Sequence, residues 1–197
     1  MKQAIETIVV RKPNIKTLKV DIIGNRPMIQ HKFSEKAIRM IEEKQQKKDA
    51  KTKRDKRDPK AEFEAAKYLN KDGDIAFPAL CIKQAIVGSA RMVDGLPMTI
   101  LRGSVFVKGD GEGMIKVDYA TCQLRRDVVR LNGGPADLRY RPELLDWKMN
   151  LNIDYNADVI SAEQVVNLLS IAGFSQGLGE WRPEKNGDFG TFTVAGE

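Results

Sequence analysis

Lys148-Met149-Asn150-Leu151-Asn152-Ile153-Asp154 alternates polar and apolar side chains without a break. Successive side chains of a β-strand point to opposite faces, so this run is a strand that buries Met149, Leu151 and Ile153. Next, Ser161 and Gln164 stand three apart ahead of Val165, Val166, Leu168, Leu169 and Ala172. That spacing is a capping box opening an amphipathic helix. Five glycines follow between Gly173 and Gly190, and then a last strand through Phe189, Phe192 and Val194.

Working outward, Ile8-Val9-Val10 before Pro13 suggests a short edge element, and Leu18, Val20 and Ile22 alternate with Lys19 and Asp21 as a half-buried strand. Gly24-Asn25-Arg26-Pro27 ends it. Ser34 is placed to cap a helix through Ile38 and Ile41 that loses its apolar face near Lys44. Asp58 and Pro59 open a second helix reaching Leu69. A third runs from Ala79 to about Val93, with Leu80, Ile82, Ala85, Ile86, Ala90 and Val93 on one broad face. Strands are expected over Thr99–Lys108 and Met114–Tyr119, and Arg125–Arg141 reads as irregular and basic around Gly133-Gly134-Pro135. Trp147 and Met149 belong to the core. The pairs Asp72/Asp74 and Asp110/Glu112, each flanking a glycine, read as turns.

Stripped of insertions, the order is compatible with an α+β, ferredoxin-like β-α-β-β-α-β core. The chain reads as a single domain over 1–197, with a core of about 17–24 and 75–194 and a basic insertion of about 25–74. No run of 18 apolar residues exists for a transmembrane helix. The first residues, Met1 to Glu6, lack the apolar core of a secretory signal. Cys81 and Cys122 are too few for a disulfide framework or a four-cysteine zinc site, so a reducing, cytoplasmic setting is expected. No metal site and no cofactor motif is indicated. The glycines follow a helix and precede a strand, the reverse of a dinucleotide fingerprint.

Charge is concentrated. Lys44 to Lys60 holds nine basic residues against three acids, an excess equal to the formal +6 of the whole chain. Lys51, Lys53, Arg54, Lys56 and Arg57 are its candidates for tracking phosphates, the alternative being a solvated surface. Arg125, Arg126, Arg130, Arg139 and Arg141 form a second basic cluster, some of them expected to pair with Asp127, Asp137 or Glu143. The glycine stretch carries Gly177, Gly179, Trp181, Arg182, Lys185, Gly187 and Gly190. Backbone that admits close approach, two cations and an aromatic suit a nucleotide strand. A turn that merely seats the last strand accounts for the glycines equally well.

Gly177-Leu178-Gly179 with Gly187-Asp188-Phe189-Gly190-Thr191-Phe192 resembles the C-terminal glycine-rich loop of the RAMP superfamily of CRISPR proteins. Phe77-Pro78-Ala79-Leu80-Cys81-Ile82-Lys83-Gln84-Ala85-Ile86, closed by Ala90-Arg91, is similar to the first core helix of the backbone subunits of CRISPR surveillance complexes. The long Glu180–Asn186 spacer departs from that pattern. The resemblance implies an RRM-like, ferredoxin-type core with a thumb-like insertion, Lys83 and Arg91 at the nucleic acid, and copies polymerising along single-stranded RNA or DNA. Either a subunit of such a complex or a solitary viral or mobile-element relative fits it. RAMP endoribonucleases often use a histidine near the first core elements. His31, the only histidine, with Lys32 beside it, is therefore the candidate for a metal-free cleaving alternative. A protein-interaction module acting on a host nucleic-acid complex is the other.

Overall fold

In the computed structural model, which describes residues 11–33, 35–46, 57–130, 134 and 136–196, the strictly alternating run lies in β8 (Lys148–Asn156). Its odd-numbered row from Met149 to Tyr155 is buried. β8 pairs antiparallel with β1 (Ile15–Gly24), from Ile15 opposite Asn156 to Ile23 opposite Lys148. β4 (Val105–Lys108) lines the other side of β8, and β9 (Phe192–Val194) pairs with the end of β1, giving the order β4-β8-β1-β9. Gly24 at the end of β1 lies against the Trp147 indole, where a Cβ would overlap the ring. Trp147 is fully buried, as expected, and its Nε1 donates to the Arg26 carbonyl at 2.8 Å.

The sequence opens two core helices, α3 (Ala79–Ser89) and α5 (Ala162–Ser175), that pack together and bury Ile82, Ile86, Val165, Leu168 and Leu169. Ser161 caps α5 by the reciprocal bonds expected of a capping box. The Ser89 hydroxyl lies 2.7 Å from the Ile86 carbonyl and 3.0 Å from that of Leu168 on α5. α3 gives way to a 3-10 turn at Ala90–Met92. The architecture is α+β.

Between β1 and α3 run β2 (Met28–Ile29), α1 (Glu35–Gln45), α2 (Pro59–Ala65) and β3 (Ala76–Pro78). Asp58 caps α2, accepting from the N–H groups of Lys60 and Ala61. The helix ends four residues before the expected Leu69. Met28, Ile29 and Gln30, inside the stretch read as an insertion, are wholly buried. Gln30 donates to the Ala76 carbonyl and accepts from the Tyr68 N–H, fastening this stretch to the core. Ile38 and Ile41 of α1 are exposed. Ile8–Val10 and Ser34 lie outside the described residues.

Two segments differ from the sequence reading. Thr99–Lys108 is not one strand: α4 (Met98–Ser104) precedes β4, because Leu101 and Ser104, three apart, face inward while Ile100 faces water. Arg125–Arg141 is not irregular either. β6 (Thr121–Arg130) and β7 (Ala136–Leu145) form a long antiparallel hairpin with continuous register from Thr121↔Leu145 to Arg130↔Ala136. With β2 it makes a second sheet, ordered β2-β7-β6, and α2 packs on β7. β7 does alternate, Ala136, Leu138, Tyr140, Pro142 and Leu144 against Asp137, Arg139, Arg141 and Glu143, a strand signal that reading the segment as a basic cluster passes over. β6 carries Arg125-Arg126-Asp127 in a row and shows no such period. β5 (Met114–Lys116) pairs with β3 and is shorter than the expected strand to Tyr119. The turns at both acidic pairs are present. Asn70 Oδ1 accepts from the N–H groups of Asp72 and Asp74, and Asp110 Oδ1 accepts from those of Glu112 and Met114. Among the described residues no helix is long and apolar enough to cross a membrane.

Candidate nucleic-acid interface

α5 stops at Ser175 because Gly177 takes a left-handed φ of 65° and turns its N–H back to the Ala172 carbonyl, 2.9 Å away. Leu178 then plugs the core, its N–H bonding to the Gly190 carbonyl at 2.9 Å. Gly190 N–H bonds to the Pro27 carbonyl and Glu180 N–H to that of Ile29, both at 2.8 Å. The glycine loop is thus stitched to the start of the chain. Added Cβ atoms would overlap the Ile29 carbonyl at Gly179, the Trp181 backbone at Gly187 and the Leu178 carbonyl at Gly190. The close approach these three glycines permit is made by the protein's own backbone, as the seated-strand reading has it.

The loop has two sides. On one, Gly177, Gly179 and Arg182 border a cleft of about 570 Å3 whose opposite wall is α3. Lys83 and Arg91 line it from α3 and its 3-10 turn, Arg102 and Met98 from α4, and His31 and Tyr68 from the segments between β1 and β3. Arg182 is braced within the loop. Its Nη1 donates to the Gly179 carbonyl at 2.9 Å, and its Nε and Nη2 donate to Glu184 Oε2 at 3.0 and 2.7 Å. Lys83 donates to the Arg102 carbonyl at 2.8 Å and lies 3.7 Å from the centre of the Phe106 ring. Desolvation there holds its pKa below the usual lysine range. Arg91 and Arg102 are exposed and have no acidic partner among the described residues.

His31 is stacked on Phe33 with ring centroids 6.0 Å apart, and its Nδ1 lies 3.9 Å from Glu180 Oε1. Burial lowers its pKa, the Glu180 carboxylate acts against that, and Arg141 and Arg139 add to the lowering. Tyr68, whose hydroxyl is 3.5 Å from the His31 carbonyl, keeps its proton to higher pH because it is partly buried. Lys32 is exposed, and its backbone N–H bonds to the Ala66 carbonyl. Cys81 in the cleft wall has its thiol pKa pushed up by burial, against a lowering by Arg182.

On its other side the loop meets the hairpin. The Trp181 ring lies 5.9 Å from the Arg141 guanidinium and that of Phe189 4.5 Å from Arg125. Trp181 has a positive φ of 54° and is 41% exposed, but it stands outside the cleft. Arg141 is buried and pairs with Asp127 at 2.6 Å and Glu180 at 3.4 Å. Arg125 pairs with Asp127 and Glu143, and Arg139 with Asp137. Arg57 binds Glu62 at 2.7 Å and Asp137 at 2.6 Å, which drives its pKa up, the bond to Glu62 contributing most. These four arginines are internal ties, as expected in part from the acids beside them. Arg126, Arg130 and Lys185 are exposed without an acidic partner among the described residues. Lys51, Lys53, Arg54 and Lys56 lie outside the described residues.

Of the residues singled out in the sequence, the structure therefore brings Lys83, Arg91, Gly177, Gly179, Arg182 and His31 to one cleft. Arg102 and Tyr68 join them without having been foreseen. Among the described residues no group of three or more His, Cys, Asp or Glu side chains could hold a metal ion. No known family model matches the chain, and no curated protein matches it either.

Proposed function

We propose that the chain binds single-stranded nucleic acid, RNA or DNA, across the cleft between α3 and the glycine loop, without cleaving it. One observation carries this reading. Arg57, Arg125, Arg139, Arg141 and Arg182 are each balanced by an acid, while Arg91 and Arg102, both at the cleft, are not. Unbalanced cations on a concave, ligand-sized surface attract polyanions. Such a cleft admits unstacked nucleotides and is too small for a duplex. Arg91 and Arg102 take phosphates in this reading. Lys185 and the basic segment of Lys51, Lys53, Arg54 and Lys56 extend the charged track.

A ferredoxin-like core of the RAMP type belongs to the same proposal. Its support is the order β4-β8-β1-β9 with every neighbouring pair antiparallel, α3 and α5 in the two connections, and the glycine loop between the last helix and last strand. The two free thiols fit a cytoplasmic setting. Several copies sharing one strand complete the reading.

The test is titration of labelled RNA and DNA single strands of increasing length at low salt. Stepwise addition of copies with length is the expected result, and absence of binding to both polymers refutes the proposal.

A second reading, metal-free RNA cleavage, is favoured by one observation. His31 stands at the cleft with its neutral form favoured by burial, as a general base requires at neutral pH. Incubating RNA with the wild-type chain and with His31→Ala in the presence of a chelator separates the two. Cleavage lost in the variant establishes the second reading, and intact RNA in both samples dismisses it.

A further inference from the structure

The hairpin has two unlike faces, because residues opposite one another in register share a face. Gln123, Arg125 and Asp127 with Arg139, Arg141 and Glu143 form the charged face that meets the glycine loop. The other face carries Leu124, Arg126, Val128 and Arg130 along β6. Leu124 is 42% and Val128 65% exposed, and both arginines are exposed. That row contains no acid, on β6 or opposite it on β7.

β6 is also an edge. In the order β2-β7-β6 nothing among the described residues pairs with its outer side over all ten residues. Of the devices that commonly blunt a long open edge, β6 lacks proline, a bulge and brevity, its register with β7 being unbroken. The one it carries is charged side chains, which repel like charge and admit a strand of opposite charge. Among the described residues its outer amides and carbonyls are unpaired and Arg126 and Arg130 have no acidic partner. These two cations alternate with Leu124 and Val128 at the spacing of an added strand.

We propose that the outer edge of β6 is a docking edge for an extended acidic segment of a partner polypeptide. The segment adds to the sheet as a further strand, with carboxylates against Arg126 and Arg130 and apolar side chains against Leu124 and Val128. Charge selects this occupant over a second copy, since pairing two β6 rows would gather four arginines with no acid. The open backbone edge and the exposed Leu124 and Val128 select it over a nucleic-acid strand, which has no strand backbone to pair with the amides.

The experiment uses the full chain and a fluorescein-labelled peptide of two Thr-Val-Thr-Glu repeats. Its controls are the same peptide with lysine for glutamate, and one N-methylated at every second amide on the side that would face β6. Two like-charge contacts replacing two attractive ones set the expected preference for the acidic peptide at about tenfold. The N-methylated peptide should lose binding by a similar factor. Arg126→Glu with Arg130→Glu should reverse the preference. Arg126→Gln with Arg130→Gln should abolish it, and decides the matter if the reversed variant does not fold.

Equal binding of all three peptides, or preference unchanged in both variants, overturns the proposal. So does self-association of the chain that Arg126→Gln with Arg130→Gln abolishes. Loss of oligonucleotide binding in that variant with peptide binding intact also overturns it, assigning the row to nucleic acid.

Discussion

Replacing Arg91 and Arg102 by Gln removes the two exposed cleft cations that no acid balances among the described residues, and leaves Lys83 in place. The loop and core stay untouched because both side chains are exposed. Each phosphate left unneutralised on a single strand lowers the steepness of the salt dependence by about 0.7 in log affinity against log salt. Two such phosphates lower it by about 1.4, so the variant should lose about sevenfold less affinity than the wild type between about 50 and 200 mM salt. Fluorescence anisotropy of a labelled oligonucleotide across that range reads the slope directly. Arg125→Gln is the contrast. Its guanidinium already neutralises Asp127 and Glu143, at 2.9 and 2.7 Å, and its removal should leave the slope where it was. An unchanged slope in the Arg91/Arg102 variant, or an equal drop in Arg125→Gln, refutes the assignment of phosphates to the cleft.

Arg141→Met should cost about 3 kcal/mol in chemical denaturation, because it leaves the mostly buried Asp127 carboxylate, 11% exposed, short of a partner. Arg125 still reaches Asp127, which puts the cost at the low end, and adding Asp127→Asn should recover part of it. Gly190→Ala places a side chain at φ 67° against the Leu178 carbonyl and should cost more than about 2 kcal/mol. Gly73→Ala, at φ 83° in open space, should cost about 1 kcal/mol by the same measurement. Folding lowers the pKa of His31, so its neutral form is the one the fold favours. The stability it contributes is complete above about 6.5 and is lost as pH falls through the lower folded value. His31→Gln should flatten the stability profile in the window just below about 6.5, and an unaltered profile rejects this.

The parts of the fold that could be read directly are those whose local signals agree. The alternation of β8 coincides with the wish of four apolar side chains to leave water, and the Ser161–Gln164 box fixes the start of α5 within one turn. α4 was hidden because Thr99 and Ile100 carry strand propensity while the burial of Leu101 and Ser104 is decided by packing. The Met28–Gln30 stretch gave no periodic signal at all. Its burial comes from Pro27 and Ile29 accepting bonds from a loop far along the chain. The same distance effect hid Arg102 and Tyr68, which reach the cleft only after α4 and α2 are placed.

The arginines carry the more general point. Between Arg125 and Arg141 the sequence looks like a basic patch, but a strand puts residues two apart on one face. Arg125 with Asp127, and Asp137 with Arg139, are such pairs, and Arg141 reaches Asp127 across the ladder. Counting charges along the chain sums both faces and reports an excess. Counting them face by face finds one face nearly neutral and assigns the excess to Arg126 and Arg130, on the other. The same procedure applied to the cleft cancels Arg182 against Glu184 and leaves Lys83, Arg91 and Arg102 without an acid among the described residues. A cation predicts a polyanionic partner only after its own face has been searched for acids. By that standard the cleft and the outer face of β6 are uncompensated among the described residues, on different surfaces, and the salt slope and the peptide preference measure them independently.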